Sequence, residues 1–292
     1  MSNMRVIEPS ELILNQDGSI FHLHLMPEQL AENIILVGDP GRVKMIAALF
    51  DNIESETENR EFVSATGSYG SKRITALSTG IGTDNIDIVV NELDALVNID
   101  LKTRQVKSEH KSLKIIRIGT SGGLQGDIPV DAFLASRKAI GFDGLLNFYE
   151  GRNEISDLPF ENAFKSYVGW SKLLPSPYVV AADPDLFDRI TDDEFTPGVT
   201  ISAPGFYGPQ GRELRLKIVD PQINDKIEAF RFENQRITNY EMECSAIYGL
   251  CRLLGHKALT VCIIIANRVT KNANEDYKPV MAKLVKKVLD RI

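Results

Sequence analysis

The sequence predicts an α/β protein of three layers, α/β/α, around a central mixed, largely parallel sheet. Three observations predict it: short apolar runs rich in β-branched residues recur along the 292 residues, segments of helical period alternate with them, and several runs end directly in glycine- or arginine-bearing turns. The runs are 33–37, 73–78, 113–118, 132–139, 199–203 and 258–265, each short enough to be a buried strand. Over 83–98, Ile86, Val89, Val90, Leu93, Leu96 and Val97 line one helical stripe, and over 275–292 Val280, Leu284, Val285, Val288 and Leu289 do the same. Residues 243–254 read as a third helix. Strands alternating with helices imply a sheet covered on both faces. With no repeat, low-complexity tract or linker, a single domain over 1–292 is expected. Residues 102–111 read as a surface excursion and 151–177 as a longer connection.

Composition narrows the function classes. Hydrophobic residues at 43% and charged residues at 25% are ordinary globular values, so a sizeable core is available. A net charge of −7 and a pI near 5.3 argue against a general nucleic-acid or membrane surface, yet a few convergent arginines can still reverse the field locally. Cys244, Cys251 and Cys262 form no CxxC pair, which points to a reducing compartment. The N-terminal stretch carries acids where a signal peptide carries an apolar run, so a cytoplasmic location is expected.

In open α/β sheets ligands gather at the carboxyl ends of strands, and four motifs stand there: 38–42, 78–82, 117–123 and Asn267-Arg268. In Gly38-Asp39-Pro40-Gly41-Arg42, a glycine lets backbone N–H groups approach a ligand, a helix start favours an anion, and Arg42 adds a charged fork. An ordinary strand-to-helix turn reads the same way. Arg117-Ile118-Gly119-Thr120-Ser121-Gly122-Gly123 places an arginine near the end of a buried strand, where it needs an anionic partner; a bound phosphate and an internal ion pair both supply one. Neither this motif nor Gly80-Ile81-Gly82 forms GxGxxG, which disfavours a dinucleotide site. Tyr240-Glu241-Met242-Glu243 sets two carboxylates at i and i+2, on one side if extended, suited to vicinal hydroxyls or to a helix N-terminus. Phe206 through Arg212 offers an aromatic face, the amide of Gln210 and a guanidinium, a set that can stack on a planar heterocycle and read its imide edge. The histidines, His22, His24, His110 and His256, sit in no metal-ligand pattern, and no serine-hydrolase elbow surrounds Ser121.

Taken together these segments resemble the uridine phosphorylase branch of the nucleoside phosphorylase family. The similarity runs from Phe21-His22-Leu23 to Asn267-Arg268, and its motifs keep order and spacing: GDPGR at 38–42, REF at 60–62, STGIG at 78–82, RIGTSGGLQ at 117–125, FYGPQGR at 206–212 and NYEMEC at 239–244. The chain departs from the family pattern at Gly41, at Ser121-Gly122 and at Cys244. The resemblance implies the phosphorylase/hydrolase-like fold. It implies a phosphate site from Gly38, Arg42, Arg117 and Thr120, joined by Arg60 of a neighbouring subunit. It implies ribose contacts from Thr120, Met242 and Glu243, with His22 contributed across a dimer interface. The base site it implies comprises Gly122, Phe206, Gln210 and Arg212, closed by Ile265 and Arg268; Arg117, Glu243, Arg212 and Gln210 would carry the catalysis. A homodimer or hexamer with shared active sites is implied, as is a monovalent cation such as K+ near Glu61 and Ser78; no other cofactor or metal is expected. The reaction so implied is uridine plus phosphate to uracil plus ribose 1-phosphate. The alternatives are a purine nucleoside phosphorylase, a nucleosidase using water, and a non-catalytic nucleoside-binding protein.

Overall fold

The computed structural model describes residues 5–292, so the first four residues of the N-terminal stretch lie outside it. Strand β1 (Asn33–Val37) falls at its expected bounds. Asp39 then caps α1 (Pro40–Ala47) by accepting the Gly41 N–H at 2.8 Å, while Pro40 fits the first turn. A meander follows: β2 (Asn52–Asn59), β3 (Phe62–Tyr69) and β4 (Lys72–Ser78). Only β4 was expected from the apolar runs. β2 carries Glu54, Glu56 and Glu58 on its exposed side, the charged edge that keeps an open sheet from pairing with another chain.

Helix α2 (Thr83–Asn98) appears as predicted, and the excursion at 102–111 begins with a small ribbon of β5 (Ile99–Asp100) and β6 (Gln105–Val106). Next come β7 (Lys114–Gly123) and β8 (Phe133–Gly141). The connection at 151–177 contains α3 (Arg152–Ile155) and α4 (Leu158–Val168). The remaining elements are β9 (Tyr178–Ala181), α5 (Pro184–Ile190), β10 (Phe195–Ser202), α6 (Ile223–Ala229), β11 (Arg231–Phe232), β12 (Gln235–Glu241), α7 (Cys244–Leu253), β13 (Lys257–Asn267) and α8 (Lys278–Arg291).

Eleven strands form one mixed sheet in the order β11-β12-β10-β8-β13-β7-β1-β4-β3-β2, with β9 on β8. The pairs β1–β4, β1–β7, β7–β13, β8–β10 and β10–β12 are parallel. The end of β7 also pairs antiparallel with β12, Gly123 opposite Asn239 and Gly122 opposite Tyr240. Strands β7, β13, β8, β10 and β12 therefore close a ring, which brings the ends of β7, β12 and β13 together.

That closure explains a difference from the sequence reading. The glycine motif after residue 118 does not leave the sheet as a turn; β7 runs on to Gly123 because β13 pairs with it to Asn267 on one side and β12 pairs on the other. The helices cover both sides, with α2 against α7 and α5 against α8, and β13 touching both α7 and α8. A second cluster, Phe142, Phe160, Phe164, Ile201, Phe230 and Tyr240, packs under α4 and α6. Among the described residues no helix is long and apolar enough to cross a membrane.

Candidate active site

Arg117 projects from β7 into the ring and is almost completely buried. Its space is made by Gly119, where a Cβ would lie 2.2 Å from Arg117 Nη1. Two acids meet it. Arg117 Nη1 lies 3.2 Å from Glu241 Oε2, and Nη2 donates to Glu243 Oε2. Burial alone would lower the arginine's pKa, but Glu243 and then Glu241 outweigh it and hold the guanidinium charged. Of the two partners left open for Arg117, the chain itself supplies the internal ion pair.

The acids are held differently. Glu241, at the end of β12, accepts the Ser202 hydroxyl, the Glu243 N–H at 2.9 Å and the Cys244 N–H at 3.0 and 2.9 Å, so it closes the N-terminus of α7. Burial pushes its pKa up to about 7, against the lowering by Arg117 and with a further rise from Glu243. Glu243 stands at the N-cap of α7, and apart from Arg117 it accepts the Gly82 N–H at 2.8 Å, a contact that ties β12 to the loop after β4. The expected i, i+2 pair thus splits into a helix anchor and a carboxylate that bridges Arg117 and Gly82. Glu241's anchoring role and the part of Gly82 were missed, since both depend on contacts far apart in sequence.

The other anion-binding candidates surround this group. At Gly38, where β1 ends, a Cβ would come within 3.3 Å of Gly80 O, so the two loops nearly touch. Arg42, half-buried on α1, lies 3.5 Å from the Tyr277 hydroxyl and 5.9 Å over that ring, and no ion pair engages it among the described residues. Thr120 and Met242 are half-buried beside the triad. Arg60 is exposed in the β2–β3 turn with φ 56°. His22 belongs to the same patch: Asn59 Nδ2 donates to its carbonyl at 2.8 Å, and its Nδ1 lies 2.6 Å from Glu92. Ser78 Oγ donates to Glu61 O at 2.6 Å, and Asn85 donates to Glu61 Oε1 at 3.3 Å.

A second polar group forms around Gln210. This buried side chain accepts at Oε1 from Arg212 Nη1 at 2.7 Å and Arg268 Nη2 at 2.9 Å, and Arg268 Nη1 also donates to the Gln210 carbonyl. Neither guanidinium joins an ion pair among the described residues. Arg212 stacks 3.8 Å from the Phe206 ring centre, and Arg268 sits 5.0 Å from that of Tyr240. Burial and then Arg212 pull the Arg268 pKa down to about 10, so it stays cationic at neutral pH. Gly122 faces the group, a Cβ there lying 3.8 Å from Arg268 Nε. The β7–β13 register slips between Ile264 and Ala266, which makes Ile265 the bulged residue, half-buried and packed against the main core. Tyr240 and Tyr277 went unassigned in the sequence because aromatic residues carry no local signature of a cation partner.

Two cavities lie away from the ion triad. One of about 570 Å³, lined by Pro27, Arg73, Leu96 and Lys107, touches no motif residue; one of about 730 Å³, walled by Trp170, Leu174, Tyr207, Arg212 and Leu216, lies beside the 206–212 loop. The end of the 151–177 connection therefore flanks that loop. Cys244, Cys251 and Cys262 are buried with raised pKa values, burial being the first cause, and are poor nucleophiles. Asp94, His110 and His256 converge away from the site. His256 Nδ1 accepts the Leu113 N–H at 3.2 Å, and its Nε2 lies 3.2 Å from Asp94.

Residues 32–292 match the family model described as the phosphorylase superfamily. The uridine phosphorylase of Haemophilus influenzae is 30% identical over 86% of this chain and 87% of its own, and a DeoD-type purine nucleoside phosphorylase of Listeria welshimeri is 27% identical over 83% and 85%. A Trypanosoma brucei nucleoside phosphorylase, whose crystal structure is described as showing uridine phosphorylase activity, superposes with a TM-score of 0.85 at 30% identity, covering 96% of this chain and 98% of that one. With the arginine–carboxylate triad at the strand ends and a family match over nearly its whole length, the chain belongs to the phosphorylase superfamily.

Proposed function

We propose that this enzyme is a nucleoside phosphorylase that cleaves a pyrimidine nucleoside, uridine plus phosphate giving uracil and ribose 1-phosphate. The observation that carries the pyrimidine choice is the Gln210 group. With Oε1 taken by two arginines, the amide NH2 of Gln210 is left to meet an acceptor on the base, and two guanidinium groups without acids face the leaving group. A purine phosphorylase calls for an acid near the end of the last strand to protonate the ring. Here that place holds Asn267, whose Nδ2 donates to Gln125 O and Ile128 O and whose Oδ1 accepts the N–H groups of Val269 and Thr270. It is fully engaged and faces the backbone.

In this reading the C1′–N1 bond breaks as a phosphate oxygen bonds to C1′. The electron pair leaves with the base, where Arg212 and Arg268 offset the developing charge. Glu243 holds the ribose hydroxyls, and Arg42 and Arg117 hold the phosphate as Glu243 gives up its contact with Arg117. We expect phosphate-dependent release of uracil and ribose 1-phosphate, with inosine turned over at least about a hundredfold less efficiently because its base leaves polar groups of the site unpaired. Faster inosine cleavage would point to a purine enzyme. Uracil release without phosphate would point to a hydrolase, and binding without turnover to a sensor.

The patch bearing Arg60 and His22 supports a shared site: Asn59, next to Arg60, holds the His22 carbonyl, Glu92 fixes the His22 ring, and Arg60 is exposed. We propose that it completes the pocket of a second copy in a homodimer or a larger ring, with Glu61 and Ser78 near a K+ site at that boundary. Mixing inactive Arg60→Ala with inactive Arg117→Ala protein should restore up to about a quarter of the wild-type rate, since one of the two sites in a mixed dimer regains all its residues. Recovery of no activity from exchanged mixtures counts against shared sites.

A further inference from the structure

Of the two carboxylates on Arg117, only one can give way to a ligand. The Glu241 side chain is 1% exposed and takes donors on both oxygens: the Ser202 hydroxyl from β10, the N–H groups of Glu243 and Cys244 entering α7, and Arg117 from β7. Cys262 of β13, 3.7 Å from Arg117 Nη1, completes the polar groups around it. No face of Glu241 is left for substrate. Glu243 is held by one backbone N–H besides Arg117, so an anion approaching the guanidinium displaces Glu243 and leaves Glu241 in place.

We infer that Glu241 is a positioning residue whose negative charge weakens the ground-state hold of Arg117 on phosphate while keeping the guanidinium aimed. With both carboxylates ionised, one guanidinium between them gives the buried group a formal charge of −1, and a phosphate beside it meets that surplus. With Glu243 turned to the sugar, Glu241 remains as the counter-ion that fixes the plane of Arg117. Phosphate bound less tightly at rest leaves more of the interaction to be realised as the bond breaks.

The inference rests on phosphate docking against Arg117, and steady-state kinetics at pH 8 with saturating uridine separate the two. Glu241→Gln removes the charge; KM for phosphate should fall about tenfold, as expected for loss of a charge within hydrogen-bond reach, while kcat falls at least as far. Glu241→Asp keeps the charge on a shorter stem, so its KM for phosphate should stay within about twofold of wild type as kcat drops. An unchanged or higher KM in Glu241→Gln, or the same KM shift in both variants, overturns the inference. If Glu241→Gln does not fold, Ser202→Ala tests it: with a donor to the carboxylate gone Glu241 shifts toward its neutral form, and KM for phosphate should fall. An unchanged KM in a Ser202→Ala enzyme that melts like wild type overturns the inference equally. Wild-type uracil release that does not depend on phosphate would sink the phosphorolytic reading itself.

Discussion

Arg117→Ala is expected to lower kcat/KM for phosphorolysis by about a thousandfold or more, the range seen when a buried donor to developing charge is removed. The loss should fall on both kinetic constants, because the same side chain draws in phosphate and orders Glu243. Stability should fall as well. Arg117 is the only cation in contact with Glu241 and Glu243 among the described residues, and removing one member of a buried ion group costs about 3–5 kcal/mol. The pH dependence separates the two effects. Glu241 already titrates near 7, well above the ordinary glutamate value of 4.5, and without Arg117 it moves higher. A carboxyl whose folded pKa is raised binds its proton more tightly when folded. The stability it lends is present below 4.5 and is lost as the pH rises through the folded value. The variant should therefore melt closest to wild type near pH 5 and furthest below it near pH 8, which thermal denaturation at the two pH values reads directly. A constant gap would show that the acids do not depend on Arg117 for their charge.

Much of this site could be read before the fold was known, and the reasons differ between residues. Arg117 stood out because an arginine inside an apolar run must have an anionic partner, and the structure supplies two. Gln210 and Arg212 were legible as a local cluster, since two residues apart in one loop they still meet. Arg268 stood out by its place at the end of the last apolar run, but its role came only through family resemblance; its contact with Gln210 spans 58 positions, and no local pattern announces it. The strands show the same division. β1 and β13 are buried on both faces and read as apolar runs, whereas β2, with acids along its exposed side, reads as a loop. The extension of β7 to Gly123 was hidden because glycines are poor strand formers, and only neighbours on both sides keep that segment extended.

Glu243→Ala should be the second most damaging change for catalysis and a far milder one for the fold. On the proposed function its loss removes the acceptor for the sugar hydroxyls, and kcat/KM for uridine is expected to fall by about 10²–10³. Arg117 keeps Glu241 as its counter-ion, so no buried charge is left alone; the Gly82 N–H loses its acceptor, at about 1–3 kcal/mol. The melting temperature should thus drop less than in Arg117→Ala, although the two positions belong to one ion group. The chemistry gives a sharper signature than the rate alone. A carboxylate that binds vicinal hydroxyls discriminates between ribose and 2′-deoxyribose, and without it that discrimination has no source at this position. Uridine should lose more than deoxyuridine, and the ratio of their kcat/KM values should move toward one. If both substrates lose equally, Glu243 acts through Arg117 and the helix start, and the sugar must be held by other groups.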